Sequence, residues 1–224
     1  MILDIRKEKI IRKGAEANLH YGYWFGKEVI FKHRIPKKYR IEELDKKIRT
    51  ERTLNEARAL IKAKSYGINV PQVFEIDTEN STIVMKFIKG TKLKESLSKL
   101  ENSQKKKYFN QIGCIIATLH KNGHIHGDIT TSNIIITPEE YIFLIDFGLH
   151  ESSDSIEDKS VDLHLLKRVL ISSHGNDADT CYNAFIKGYR TEYSKTDLNE
   201  CEMIIKNVDV ISTRGRYIKP EERL

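Results

Sequence analysis

Polar and apolar positions alternate through the first third of the chain. Ile5–Ile11 is a short alternating run, Gly14 interrupts it, and Leu19–Trp24 and Val29–His33 follow on either side of a Phe25-Gly26-Lys27 turn. Two β-rich runs joined by a glycine-containing turn predict a hairpin. The period then changes. Across Glu42–Lys64, residues Leu44, Ile48, Leu54, Ala57, Leu60 and Ile61 recur at mostly three- and four-residue steps, the mark of a long amphipathic helix, and Gly67 and Pro71 stop it. Gln72–Ile76 and Thr82–Ile88 predict a second hairpin around Glu79-Asn80-Ser81, and Gly90 closes the β-rich part. Beyond it the pattern turns helical: a short Leu93–Leu100, then Gln104–His120 with Tyr108, Phe109, Ile112, Ile115, Ile116 and Leu119 on one stripe. A polar loop, His124–Asn133, precedes two brief apolar strands, Ile134–Ile136 and Tyr141–Ile145. Three further helices are predicted over Val161–Ser173, Ala178–Tyr193 and Asp197–Val208. The order predicts a two-lobed α+β molecule with a cleft between the lobes. Residues 1–89 would form a lobe with a five-stranded antiparallel sheet and one helix at about 42–65; residues 90–224 would form a mainly helical lobe.

Composition narrows the class. Of 224 residues, 39% are apolar and 31% charged, enough for a packed core. No apolar run approaches the roughly 18–20 residues that a membrane span needs. Met1–Lys13 alternates charges and carries no signal-peptide core, so no membrane contact is expected. Three scattered cysteines (Cys114, Cys181, Cys201) without Cys-x-x-Cys spacing argue against a disulfide framework or a cysteine-rich zinc site, and point to a reducing, cytoplasmic location. The net charge is +6, unevenly spread: nine Lys/Arg and four acids lie between Lys32 and Arg52, and Arg214, Arg216, Lys219 and Arg223 crowd the stretch 212–224. Charge alone favours solvated helix faces over a phosphate-binding surface.

The chemistry concentrates in His126-Gly127-Asp128-Ile129-Thr130-Thr131-Ser132-Asn133, followed thirteen residues later by Asp146-Phe147-Gly148. Phosphoryl transfer needs oxygen ligands converging on Mg²⁺ to neutralise the transferring group. Asn133, five residues after Asp128 and just before a strand, can supply one ligand while Asp128 faces the acceptor. Asp146, at the end of the next strand on a turn freed by Gly148, can reach the metal from the other side. Each motif alone is ordinary turn chemistry. Together, in this order, they point to an ATP site.

Upstream, Val29-Ile30-Phe31-Lys32 resembles the strand lysine of protein kinases, which contacts the α- and β-phosphates. Glu56 lies where such a fold wants that lysine's carboxylate partner, with Glu51 as the alternative on the same helix. Lys13-Gly14-Ala15-Glu16-Ala17 occupies the place of the glycine-rich loop with a single glycine. It can still arch and offer N–H groups to phosphate, but the acid Glu16 is odd in a phosphate cradle. Ile83–Ile88 matches the strand leading into the interlobe hinge, where Met85 would guard the adenine and the backbone around Lys86, Phe87 and Ile88 would meet the purine edge.

These residues resemble the protein-kinase superfamily and, more narrowly, the small atypical kinase/ATPase subunit of the KEOPS (EKC) complex. The narrower likeness rests on Lys13–Ala17, on Ile30–Arg34 with Pro36–Arg40, on Arg52-Thr53 with Glu56-Ala57-Arg58, on the loop His126–Asn133, and on Arg214-Gly215-Arg216. It spans nearly the whole chain. The resemblance implies an ATPase that phosphorylates itself and proteins on Ser/Thr, working beside a metal-dependent subunit that installs threonylcarbamoyl on adenosine 37 of tRNA. It implies that Lys32 holds the phosphates, Glu56 orients it, Asp128 is the base or water-positioner, Asn133 and Asp146 bind Mg²⁺, and Asp162 braces the catalytic loop. Only 76 residues follow Gly148 and no Ala-Pro-Glu element appears, so acceptor recognition is expected to be poor or supplied by a partner. Arg214, Arg216 and Lys219 would then touch that partner or tRNA. Two alternatives remain at this stage: a small-molecule phosphotransferase of the aminoglycoside or choline type, and an ATP-binding scaffold without turnover.

Overall fold

The computed structural model describes residues 5–214. The described residues divide into two compact units, 5–90 with 143–148, and 91–142 with 149–214.

The first unit is an antiparallel sheet and one long helix. β1 (Arg6–Lys13), β2 (Ala17–Trp24), β3 (Lys27–Arg34), β4 (Val73–Asp77) and β5 (Thr82–Lys86) stand in the order β1-β2-β3-β5-β4. Between β2 and β3 only Phe25 and Gly26 intervene, at φ 47° and 77°. Two positive φ values match the twist of the flanking strands, and glycine takes the second at no steric cost. β1 forms one edge, and all eight of its residues are exposed. Its lysines and arginines blunt that edge against pairing with another chain. In β3 the alternation breaks: Val29 and Phe31 join Val84 in the core, with Trp24 and Phe74 packed against them, yet Lys32 and Arg34 are buried as well. α1 (Glu42–Ser65) lays Ala57, Ala59, Leu60 and Ala63 on its buried face, and the small side chains bring its backbone close to its neighbours. Glu42, Glu43 and Asp45 complement the dipole of its first turn, and Gly67, at φ 80°, follows its end.

The second unit is mainly helical. A two-residue strand β6 (Thr91–Lys92) leads into α2 (Leu93–Ser96), a single turn of 3₁₀ helix, and α3 (Asn102–Lys121). Glu101 and Gln104 form a reciprocal capping box at the start of α3. β7 (His124–Ile125) pairs with β10 (Glu151–Ser152), and β6 pairs with β8 (Ile134–Ile136). β9 (Ile142–Leu144) follows β8 through a tight turn closed by Thr137 and Tyr141. α4 (Ile156–Ser173), α5 (Ala178–Tyr193) and α6 (Leu198–Arg214) complete the unit. α3 and α5 touch backbone to backbone: a Cβ on Gly113 would overlap the Phe185 carbonyl, and one on Gly188 the Asn110 carbonyl.

The main elements lie where the hydrophobic pattern predicts them, with three differences, the first being that α6 runs on to Arg214, six residues past Val208. α4 begins at Ile156, five residues before the apolar period at Val161. Ser155 caps it by accepting from the Asp158 N–H, and Glu157 and Asp158 suit its N-terminal dipole. Glu157 and Asp158 therefore belong to a helix start. The strands β6, β7 and β10 carry no sequence signal, because two residues show no period.

Candidate active site

The first unit gathers a buried chain of alternating charges. Lys32 in β3 is 7% exposed, and its Nζ lies 2.5 Å from Glu56 Oε1 on α1 and 2.7 Å from Asp146 Oδ1. Burial works against the ammonium, but the carboxylates of Glu56 and Asp146 outweigh it and raise the Lys32 pKa above its ordinary value. Two residues on, with the same side-chain direction, Arg34 Nη2 donates to Glu56 Oε2 at 2.7 Å and to the Arg52 carbonyl at 3.4 Å. Both oxygens of Glu56, a residue 1% exposed, are thus held by cations. Removing one partner from so dry a pair costs about 3–5 kcal/mol, because the remaining charge is left buried. Glu51 is exposed, so the helix carboxylate is Glu56.

Asp146 follows β9, which is tied to the unit by Leu144 N–H donating to the Asn69 carbonyl at 3.0 Å. The residue sits at φ 64°, a left-handed conformation that costs a non-glycine residue about 1–2 kcal/mol. Gly148 N–H donates to Asp146 Oδ1 at 3.3 Å. A Cβ on Gly148 would come within 3.1 Å of that oxygen.

The loop from β1 to β2 is a tight turn, with Gly14 N–H donating to the Ala17 carbonyl at 3.0 Å. Lys13 and Ala15 are exposed, as is Glu16, whose Oε2 lies 2.9 Å from Arg52 Nη1 and whose Oε1 lies 3.6 Å from Lys37 Nζ. On β5 Met85 is buried and Lys86 exposed; just beyond it Phe87 is half-buried and Ile88 buried. The Lys86 N–H is committed to the Gln72 carbonyl at 2.8 Å and the Phe87 N–H to the Glu28 carbonyl at 3.0 Å. Of the Lys86 backbone only the carbonyl side can therefore face a purine.

In the second unit, Asn133 donates both amide hydrogens to Asp128, to Oδ2 at 2.8 Å and to its carbonyl at 3.0 Å. The Asn133 amide oxygen remains as a hard ligand, the donor type that Mg²⁺ takes. Gly127 stands at φ 78°, and a Cβ there would overlap the Leu149 carbonyl, so only glycine fits before Asp128. The loop is held from below. Asp162 on α4 accepts the His126 N–H on Oδ2 and the Gly127 N–H on Oδ1, both at 2.9 Å. His120, fully buried on α3, lies 3.2 Å from Asp162 Oδ2 and 2.8 Å from the Tyr189 hydroxyl. At the loop's far end, Thr131 Oγ1 is 3.0 Å from His174 Nε2.

Lys32, Glu56 and Asp146 are thus brought together in one unit, and Asp128, Asn133 and Asp162 in the other. Glu16 meets Arg52 and Lys37. Arg216 and Lys219 lie outside the described residues, and Arg214 ends α6 with its side chain undescribed. No group of three or more His, Cys, Asp or Glu gathers among the described residues. The Asn133 amide oxygen in one unit and the Asp146 carboxylate in the other are each of the oxygen type that Mg²⁺ takes. Sequence reasoning missed Arg34, though its two-residue spacing from Lys32 on a strand carries the signal. It also missed His174, which sits 43 residues from Thr131, and His120, which stands at the end of a helix and shows no motif of its own.

A strand lysine gripped by a helix glutamate on one side and an Asp-Phe-Gly aspartate on the other is how protein-kinase-like phosphotransferases prepare for nucleotide phosphates, and the five-stranded sheet with its single long helix places the chain in that class. The comparisons with known proteins resolve it further. The model of the RIO domain matches residues 28–168, and the chain belongs to that family. It is 43% identical over 215 residues to the KEOPS complex subunit Bud32 of Pyrococcus abyssi, covering 93% of this chain and 96% of that protein. It is 39% identical over 211 residues to a probable bifunctional tRNA threonylcarbamoyladenosine biosynthesis protein of Methanosphaera stadtmanae, and 40% identical over 208 residues to the one of Methanothermobacter thermautotrophicus. The chain spans 37% and 36% of those two proteins. No helix among the described residues is long and apolar enough to cross a membrane.

Proposed function

We propose that this chain is the ATP-using subunit of a KEOPS assembly that forms threonylcarbamoyladenosine at position 37 of tRNA. The observation that carries the reading is Lys32 held between Glu56 and Asp146 in a chain alike over nearly its whole length to a KEOPS subunit. In this reading Lys32, kept as an ammonium, draws charge from the α- and β-phosphates. Glu56 fixes its position, and Arg34 keeps Glu56 aimed. Met85 lies beside the adenine, and the backbone of Lys86 and Ile88 meets its edge. Asp128 orients the attacking water or Ser/Thr hydroxyl and takes its proton as the γ-phosphoryl leaves ADP. Asn133 and Asp146 hold Mg²⁺, which supplies neutralising charge when bound. Hydrolysis of ATP and phosphorylation of protein Ser/Thr are two outcomes of this one step. The partners would be the metal-dependent threonylcarbamoyl-transferase subunit, the other KEOPS subunits and tRNA, with Arg214, Arg216 and Lys219 turned toward them in the cytoplasm.

The test is reconstitution with the other KEOPS subunits and tRNA. Wild type should support threonylcarbamoyladenosine formation and consume ATP, while Asp146→Ala should lose both and still assemble. ATP consumption driven by an aminoglycoside or choline, and not by tRNA and the partner subunits, would overturn the proposal.

A further inference from the structure

The acid at the tip of the nucleotide loop has structural partners of its own. Glu16 forms ion pairs with Arg52 at 2.9 Å and Lys37 at 3.6 Å, and Lys37 Nζ also donates to the neighbouring Ala15 carbonyl. Ile35 N–H donates to the Glu16 carbonyl at 3.2 Å. The loop tip is thus tied to α1 and to the segment after β3 by three bonds and one longer pair. Arg52 stands one helical turn before Glu56, and Arg34 bridges the two, donating to the Arg52 carbonyl and to the Glu56 carboxylate. A continuous series runs Glu16, Arg52, Arg34, Glu56, Lys32, Asp146.

The Glu16–Arg52 pair and the Lys32–Glu56 pair of the series differ in strength. Glu56 and Lys32 are buried, whereas the Glu16 and Arg52 side chains are 52% and 41% exposed. Exposed pairs are weak and screened by salt, buried ones are not. The outer bond is therefore the one that opens. A loop that must admit a nucleotide and release its product needs a closure of this kind.

We propose that Glu16 is a positioning residue, the latch that closes the loop 14–17 on α1, so that seating the loop and seating the Lys32–Glu56 pair are one event. The proposal rests on the ATP reading above and explains why an acid occupies a phosphate cradle: its charge is neutralised by Arg52 and Lys37.

The latch and plain electrostatics predict opposite signs. If Glu16 only repelled phosphate, Glu16→Gln would bind ATP more tightly. The latch predicts that ATP affinity falls about fivefold in Glu16→Gln, that KM rises more than kcat falls, and that Arg52→Gln does the same. Because the Glu16–Arg52 pair is already lost in Glu16→Gln, the double variant should bind no more weakly than Glu16→Gln alone. The amides of Gly14 and Ile35 should exchange with solvent faster in Glu16→Gln without any nucleotide. Titration of Mg-ATP onto the whole chain and amide exchange read these quantities. Unchanged or tighter ATP binding in Glu16→Gln, or additive losses in the double variant, would overturn the latch. If wild type binds no ATP, the nucleotide reading fails, and the exchange rates alone then judge whether Glu16 closes the loop.

Discussion

At the residue scale the site is a matter of charge placed where water cannot dilute it. Glu56 is held by two cations from one strand, and the two are not equivalent. Lys32 also reaches Asp146, whereas Arg34 serves Glu56 and the α1 backbone. Arg34→Gln should therefore act first on stability, lowering it by about 3 kcal/mol, or roughly 6–12 °C in the melting temperature, as read by calorimetry. Lys32→Met should abolish phosphate release through loss of the group that meets the nucleotide. Lys32 and Glu56 were legible in the sequence because a strand lysine and a following helix make a recognisable order. The left-handed Asp146 and the partners of Glu16 were not, since Arg52 is 36 residues away and only folding brings it near.

At the element scale the helices of the second unit exist to hold a loop. Asp162 on α4 collects two backbone N–H groups of the loop and is itself met by His120 on α3, which Tyr189 on α5 supports. Asp162→Asn turns one acceptor into a donor aimed at an N–H. It should cut kcat by about 10²-fold or more through misplacement of Asp128 while leaving the affinity for ATP within about twofold, a split visible in steady-state kinetics. Helix packing gives a second test. Gly188→Ala forces a methyl into the Asn110 carbonyl, and overpacking of this kind costs about 1–3 kcal/mol, measurable as a lower denaturant midpoint. The stripe on α3 was legible from its period. The glycine contact was not, because a glycine inside a helix gives no hint of what lies opposite it. The early start of α4 was hidden for a related reason: a capping serine and two acids read as a charge cluster until the hydrogen bond to the Asp158 N–H is seen.

At the scale of the whole molecule the charges set a pH window. Lys32 has a raised pKa, so its ion pairs contribute fully below the unfolded lysine value of about 10.4 and are lost as the pH climbs past the folded one. Burial also raises the thiols of Cys201 and Cys181, to about 11 and about 12. From about pH 8.5 upward, the unfolded chain sheds protons that the native one keeps, and stability falls. On the acid side burial lowers the pKa of His33, His164 and His174, so the unfolded chain binds protons more readily below about pH 6.5. Melting temperature should be level between these limits and fall on both sides. The role proposed for Lys32, clasped by Glu56 and Asp146, is to meet the phosphates of ATP. Its most direct measurement is Mg²⁺-dependent release of phosphate from ATP by the purified chain and by its Lys32→Met and Asp146→Asn variants, with folding of each checked by circular dichroism. Wild type should turn over ATP, and the two folded variants should not. Equal turnover in all three would contradict the proposed role.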